Sequence, residues 1–187
     1  MQQSQKDHFP TERHKSIAVP VSYSSDGGPP KFLLVHDRRY KEWTFVTGGC
    51  RRREIFNPLR CAIRELEEET RGIINLKKGT YSYFSFSFKD SDGVNNVYHV
   101  YVLDVPMTST EQSQIVTKFN QEREKMEGHE VPFRKNYDEN DSCDFDTLEG
   151  ITGRRDLWEM IRTHVLKNPQ FHKVLRTPEK QTFFLRA

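Results

Sequence analysis

Cysteine is scarce in this chain: there are three, Cys50, Cys61 and Cys143, with neither a CxxC pair nor a zinc-binding spacing. An odd, scattered set of this kind excludes a disulfide scaffold and suits a reducing compartment. Long apolar runs are missing too. No stretch approaches the ~18 residues of a membrane span, and the hydrophilic segment Met1 to Lys15 carries no apolar core of signal-peptide type. Charge of one sign is absent as well, since 29 Lys and Arg against 27 Asp and Glu leave a net charge of +2. That balance permits contact with phosphates without demanding nucleic acid, because binding depends on a local patch rather than on a sum. Even with the 10 glycines added to the 34% of hydrophobic residues, the apolar share stays below the ~45–50% of ordinary globular chains. A mean hydropathy of −0.83 agrees with a modest core. At 187 residues the chain has room for one domain with a real core and not comfortably for two. A soluble intracellular protein with no membrane and no disulfide partner is expected; the oligomeric state is left open.

What is present begins with strands. Residues 16–23 (SIAVPVSY) and 31–36 (KFLLVH) read as two, separated by the turn-rich SSDGGPP. Residues 43–47 (WTFVT) make a third, ending at Gly48-Gly49. In residues 81–88 the phenylalanines Phe84, Phe86 and Phe88 alternate with Ser85 and Ser87, the period of a half-buried strand. Asp92-Gly93 then turns the chain into residues 97–105, so a hairpin is expected.

Between the strands lies the clearest helix. Asn57 is placed to cap it, Pro58 suits its first position, and Gly72 follows its end. Leu59, Ile63 and Leu66 form its buried stripe. A second, mostly polar helix is expected over about residues 110–127, with Ser109 and Gln112 as a capping box, Gly128 as the stop, and Ile115, Phe119 and Met126 as its thin apolar seam. Residues 129–142 read as a loop and 143–151 as a last strand. Residues 154–167, with Leu157, Trp158, Ile161 and Val165 on one face, read as a third helix, and Asn168-Pro169 breaks it to start a short fourth. The domain reading is a polar tail over 1–15 and one α/β domain over 16–187, with a helical insertion at about 109–128.

The chemistry lies in residues 48–72, GGCRRREIFNPLRCAIRELEEETRG. Glu65, Glu68 and Glu69 are spaced i, i+3 and i+4, so their carboxylates converge on one face of the helix. A structural helix gains nothing from that repulsion. A hard divalent cation such as Mg²⁺ or Mn²⁺ removes it, taking oxygen ligands while leaving sites for water and phosphate. Arg64 can pair with Glu68 across one turn, and Glu67 points to a different, solvated face. A merely solvent-facing acidic run would not explain the double-glycine strand end, the cap and the apolar stripe.

This segment resembles the Nudix box, G-x5-E-x7-R-E-U-x-E-E-x-G-U with U apolar. Arg64, Glu65, Leu66, Glu68 and Glu69 match its R-E-U-x-E-E core, and Gly48 or Gly49 its opening glycine. The resemblance implies an α/β/α sandwich with a mixed sheet, here with an extra polar helix. It also implies divalent metal on Glu65, Glu68 and Glu69, with Glu65 or an acid from outside the box assisting the attacking water. The reaction implied is hydrolysis of a phosphoanhydride in a nucleoside diphosphate linked to another group. Two positions depart from the pattern. The isolated glutamate of the box falls on Phe56 when counted back from Arg64; Glu54 satisfies the count from Gly48 and is the stand-in. The closing glycine comes one residue late, at Gly72, so the helix is expected to run one residue longer.

Nudix enzymes often draw a further acid from near the last strand; the run Tyr137-Asp138-Glu139-Asn140-Asp141 is the preferred source, Glu139 first and Glu149 second. Arg51, Arg52 and Arg53 are candidates to neutralise a polyphosphate, the alternative being solvated loop arginines. Lys77-Lys78 and Arg154-Arg155 would extend a track for RNA. Trp43, Tyr40, Phe56 and Tyr137 are candidates to stack on a base, or else core residues. Cys50, with no histidine nearby in sequence, is read as a small loop residue. More loosely, the box wording, the polar helix and the LWEMIRTHVLKNPQF ending resemble the mRNA-decapping Nudix enzymes of large DNA viruses. That likeness makes capped RNA the first substrate expected, in the cytoplasm of a host cell, and a small nucleotide the second: a dinucleoside polyphosphate, ADP-ribose or a damaged nucleoside triphosphate. A Nudix-fold RNA-binding module without catalysis is the alternative of another class.

Overall fold

A computed structural model describes residues 12–25 and 27–186. The central strand, β1 (Glu12–Ser22), is buried on both sides from Ser16 onward. It starts four residues earlier than its apolar run, so Glu12–Lys15 belong to the sheet and not to a tail. On one edge β1 pairs in parallel with β6 (Asn95–Asp104) along ten residues, from Glu12↔Asn95 to Val21↔Asp104. On its other edge it takes two antiparallel partners, β2 (Lys31–Asp37) at Val21 and Ser22 and β4 (Val46–Gly49) from Lys15 to Ala18. The expected hairpin is β5 (Lys78–Lys89) with β6. The last predicted strand is β7 (Asn140–Thr147), which pairs with β2. It begins inside the segment read as a loop, and its end gives way to a short helix, α3 (Leu148–Thr152).

One parallel pair among antiparallel ones makes the sheet mixed, and each of its faces carries helices. Ile17, Val19 and Val21 of β1 pack with Ile161, Val165 and Phe171. Ala18 faces the other way, with Leu33 and Val46, onto Leu59, Ile63 and Leu66 of α1 (Pro58–Glu69) and Phe119 of α2 (Ser109–Glu127). The alternation of β1 thus builds two cores and the three layers expected.

Some boundaries moved for physical reasons. The run WTFVT splits into β3 (Trp43–Thr44) and β4, because the hydroxyls of Thr44 and Thr47 both donate to the Phe45 carbonyl, at 2.8 and 2.9 Å, and take it out of the ladder. Helix α2 is capped one residue earlier than read. Thr108 accepts from the Glu111 N–H at 3.2 Å, while Gln112 is buried rather than part of the cap. The third C-terminal helix starts later: α4 (Glu159–Ile161) continues into a π turn over Arg162–Leu166. Ahead of it the backbone is claimed by β3, with Trp43 N donating to Asp156 O at 2.7 Å and Trp158 N to Trp43 O at 2.8 Å. Then α5 (Pro169–Arg176) forms as read, with Asn168 accepting from the Gln170 N–H. An unanticipated edge strand, β8 (Gln181–Phe184), pairs with the start of β5.

The end of α1 is the most telling correction. The helix stops at Glu69 instead of running on, and Arg71 takes the left-handed conformation (φ 57°) at the place the Nudix pattern gives to glycine, followed by Gly72 at φ 79°. Such a conformation is costly for a side chain with a Cβ. Its compensation is a set of buried hydrogen bonds: Arg71 donates to the carbonyls of Phe119 (2.7 Å), Tyr137 (3.0 Å) and Asn140 (2.7 Å). Its guanidinium also lies over the Phe119 ring, 3.8 Å from the centroid. One side chain therefore ties α1 to α2 and to the turn before β7. Arg71→Ala should orphan those carbonyls and cost about 3 kcal/mol or more, read as a lower urea midpoint at an unchanged m-value. A loss below about 1 kcal/mol would show that water replaces the guanidinium.

Candidate active site

The site forms where β4 ends against α1. In β4 Gly48 sits opposite Ser16, and a Cβ placed on it would lie 2.0 Å from the carboxyl carbon of Glu65. Only glycine lets the strand come this close to the carboxylate. Gly49 has no such contact, so Gly48 is the opening glycine that the geometry requires. The chain then passes through a 3-10 turn (Arg52–Glu54) into α1.

Arg64 organises the acids around it. It meets Glu54 through two bonds of 2.8 Å, one from Nε and one from Nη2. Its Nη1 donates to Glu65 at 2.9 Å and to Glu68 at 3.2 Å, and its Nη2 to the Gly49 carbonyl at 3.1 Å. A bidentate Arg–carboxylate pair is directional as well as attractive. Burial works against the charge on Glu54, but the bonds from Arg64 and from the Arg51 N–H outweigh it and hold its carboxyl below the ordinary value. Glu54 thus anchors Arg64 and the loop, with two more residues between it and the arginine than the pattern has.

Glu65 and Glu69 are buried. Burial pushes the Glu65 carboxyl up to about 7; Arg64 opposes the rise, and the charges of Glu68 and Glu139 add to it. Burial raises the Glu69 carboxyl well above its ordinary value, with Glu65, Glu139 and Asp37 contributing repulsion. The Oε2 of Glu69 is buried without a hydrogen-bond partner. Glu139, raised by burial and by Glu68 and Asp37, lies against Glu69. Its neighbours show why this acid and not another joins the cluster. Asp138 is taken by Arg38 at 2.7 Å and Asp141 by His36 at 2.7 Å, and the Glu139 carbonyl accepts from the Arg38 N–H at 2.9 Å. Glu149 is exposed on α3, at the far end of β7.

The structure therefore brings Glu65, Glu68, Glu69 and Glu139 together, with Arg64 bonded to the first two. Among the described residues no group of three or more acids, histidines or cysteines stands in a metal-holding arrangement, and Arg64 is bonded to both Glu65 and Glu68. The donor set nevertheless fits a hard divalent ion: all oxygen, excess negative charge, and one buried carboxylate oxygen left unpaired. Of the three loop arginines, Arg51 alone reaches the acidic face, 3.6 Å from Glu68; Arg52 and Arg53 are exposed on the 3-10 turn. Arg154 is withdrawn from any RNA track, being bonded to Asp144 at 2.7 Å and Asp146 at 3.0 Å and lying 4.4 Å over the Trp43 ring. Cys50 is no thiolate, since a hydrogen bond with Cys61 and burial push its thiol up.

Beside the acids opens a cleft of about 490 Å³ lined by Lys15, Asp37, Tyr40, Glu42, Glu69 and Trp158, with Gly48 and Gly49 at its base. Tyr40 belongs to it, whereas Trp43 is held between Arg154 and His36, Tyr137 lies under Arg134, and Phe56 is 92% exposed outside it. Lys15, Glu42 and Trp158 carry no local sequence signal; only the crossing of β1, the β2–β3 loop and the C-terminal segment places them here.

No helix among the described residues is long and apolar enough to cross a membrane. No curated protein matches the chain. Among solved structures it is similar to a Nudix hydrolase from M. smegmatis, RenU, at 14% identity over 90% of this chain and 89% of that one, with a TM-score of 0.60. It is also similar to the NUDIX domain of Shewanella oneidensis NrtR, solved with ADP ribose, at 12% identity over 84% and 87%, with a TM-score of 0.52. These likenesses speak for the fold. The family model described as NUDIX domain matches residues 12–141, from the first residue of β1 into β7, so the box and its acids sit in their expected frame and the chain belongs to the Nudix family, as a pyrophosphohydrolase.

Proposed function

We propose that this protein is a divalent-metal-dependent hydrolase of the 5′ cap of RNA, releasing methylated guanosine diphosphate. The observation that carries the chemistry is the cluster of Glu65, Glu68, Glu69 and Glu139, with one buried Glu69 oxygen unpaired. Nudix enzymes generally use divalent metals, and Mg²⁺ or Mn²⁺ bound here would polarise the phosphoanhydride and make water a better nucleophile. Glu65, Glu68 and Glu69 are the residues to hold it. Arg64 keeps Glu65 and Glu68 aimed at the place where the ion would bind. Arg51, at the mouth, neutralises phosphate charge. Glu139 comes from a separate turn and has no bond to Arg64, which frees it to take the proton from the attacking water.

The cleft supports the cap as substrate. Two aromatics, Tyr40 and Trp158, line it together with the acids Asp37, Glu42 and Glu69 against a single cation, Lys15. A neutral adenine would gain from the stacking alone; a 7-methylguanine, which carries a positive charge, gains also from the acids and from the ring faces. Small nucleotides and a non-catalytic RNA-binding role remain as outcomes of the decisive assay, in which the protein meets cap-labelled RNA beside dinucleoside polyphosphates, ADP-ribose and damaged triphosphates. Methylated guanosine diphosphate should appear with Mg²⁺ or Mn²⁺ and vanish with excess chelator. Turnover of the small nucleotides alone would overturn the cap assignment, and full turnover in chelator the mechanism.

Two neighbouring glutamates test the orientation of α1. Glu68→Gln keeps volume and helix propensity while removing a ligand charge, and should lower the rate by ~10²-fold or more. Glu67→Gln, off the converging face, should stay within a few-fold of the parent. The reverse order would require a different metal site.

Gly48→Ala tests the close approach of β4. The added methyl must displace the Glu65 carboxylate, so the rate should fall by ~10²-fold, while urea denaturation shows a folded protein. A rate within two-fold of the parent would mean that Glu65 need not lie where it does.

A further inference from the structure

The side of α1 that carries Arg60 and Glu67 is also charged, and cations from other segments outnumber the acids beside it. Between this side and the C-terminal strand runs a groove of about 550 Å³, lined by Arg53, Arg60, Lys77 and Arg186, by the Arg64–Glu54 pair and by Glu67 as its unclaimed acid. We propose that this groove binds the phosphates of the single-stranded RNA that trails from the cleft, an inference that rests on capped RNA being the substrate.

Four observations support it. The cations come from four separate segments: the 3-10 turn, α1, the entry to β5 and the residues after β8. No ion pair among the described residues holds any of them, in contrast to Arg38, Arg64, Arg71 and Arg154, whose charges are all taken by carboxylates. The groove is held open by the fold itself, since the Leu185 N–H donates to the Lys77 carbonyl at 2.7 Å and β8 pairs with the start of β5. Finally, it begins where the site ends: Arg53 shares its turn with Glu54, which anchors Arg64, and Arg51 of the same loop reaches Glu68. Exposed arginines and a lysine at intervals along a trough, over an apolar floor of Ile63, Leu76 and Leu185, suit a strand that presents phosphates and base faces in turn. A second basic patch on α5, containing Lys173 and Arg176, lies on the opposite side of the sheet and has no such link to the acids.

The test separates the groove from the cap assignment. Binding of a labelled, uncapped 20-nucleotide single-stranded RNA is measured by fluorescence anisotropy with metal chelated, so that neither cap nor catalysis is involved. Turnover of capped RNA and of a cap dinucleotide is measured separately. Arg60→Glu with Lys77→Glu should weaken RNA binding ~10-fold or more at low salt and lower the slope of log affinity against log salt by about 1 to 2, as lost phosphate contacts do. The ratio of kcat/KM for capped RNA to that for the dinucleotide should fall by a similar factor. Lys173→Glu with Arg176→Glu, an equal change in net charge, should move the affinity by no more than ~2–3-fold, and Glu67→Gln should tighten it. Equal losses in the two double variants, no loss in either, or no RNA binding by the parent would overturn the groove. A parent that binds uncapped RNA through the groove yet leaves caps intact would keep the groove and sink the cap assignment. Cap cleavage with groove variants that change nothing would do the reverse.

Discussion

Carboxylates gathered at one place repel each other, and this structure depends on how that repulsion is contained. Two unit charges 4 Å apart interact by about 4 kcal/mol at an effective dielectric of 20, so several buried acids would dismantle an unsupported helix end. Arg64 carries most of the containment. Its guanidinium spends donors on Glu54, Glu65, Glu68 and the Gly49 carbonyl, which ties loop, strand end and helix to one group. The containment is incomplete by design of the fold. Glu69 and Glu139 lie beyond the reach of Arg64: burial raises both, Glu65, Glu139 and Asp37 add to Glu69, and Glu68 and Asp37 add to Glu139, a residual repulsion of the kind a divalent cation would relieve.

Holding Glu139 in that place requires a second arginine system. The turn before β7 has no regular ladder of its own until Asn140. Arg38 takes the side chain and carbonyl of Asp138, while Arg71 takes the carbonyls of Tyr137 and Asn140. The two cations bracket Glu139 without touching its carboxylate. Arg71 does this from a left-handed position at the end of α1, where glycine would cost nothing in the backbone but could not reach three carbonyls. The strain at the end of α1 and the placement of Glu139 are therefore the same event.

Much of this was legible in the chain. The three glutamates of one helix face and their arginine follow from spacing, and so do the alternating strands and the polar helix with its thin seam, whereas the resemblance left the opening glycine between Gly48 and Gly49 and the packing against Glu65 selects Gly48. Glu139 was chosen within an acidic run, but sequence offered no way to see that Arg38, His36 and Lys41 neutralise its neighbours. The failures share a cause. The pattern predicts a helix over residues that instead lend their backbone to β3, the four residues of β8 are too few to show a period of two, and the role of Arg71 lies in contacts 48 to 69 residues away. Local patterns report periodicity and caps; they do not report who claims a carbonyl across the fold.

The same limit explains why α1 read as one charged surface when the structure gives it two. Helical spacing places Glu65, Glu68 and Glu69 on one side and Arg60 and Glu67 on another, but a lone arginine on a polar face says nothing until other segments arrive beside it. Arg53 is brought there by the turn that Glu54 anchors, Lys77 by the crossing into β5, and Arg186 by the strand that closes the sheet. Because Arg64 neutralises the acids from the loop side, the anionic face and the cationic groove can share one helix without cancelling each other. A substrate that is a polyphosphate at one end and a chain of single phosphates at the other needs both: a place where negative charge is concentrated enough to capture a divalent ion, and beside it a place where negative charge is scarce.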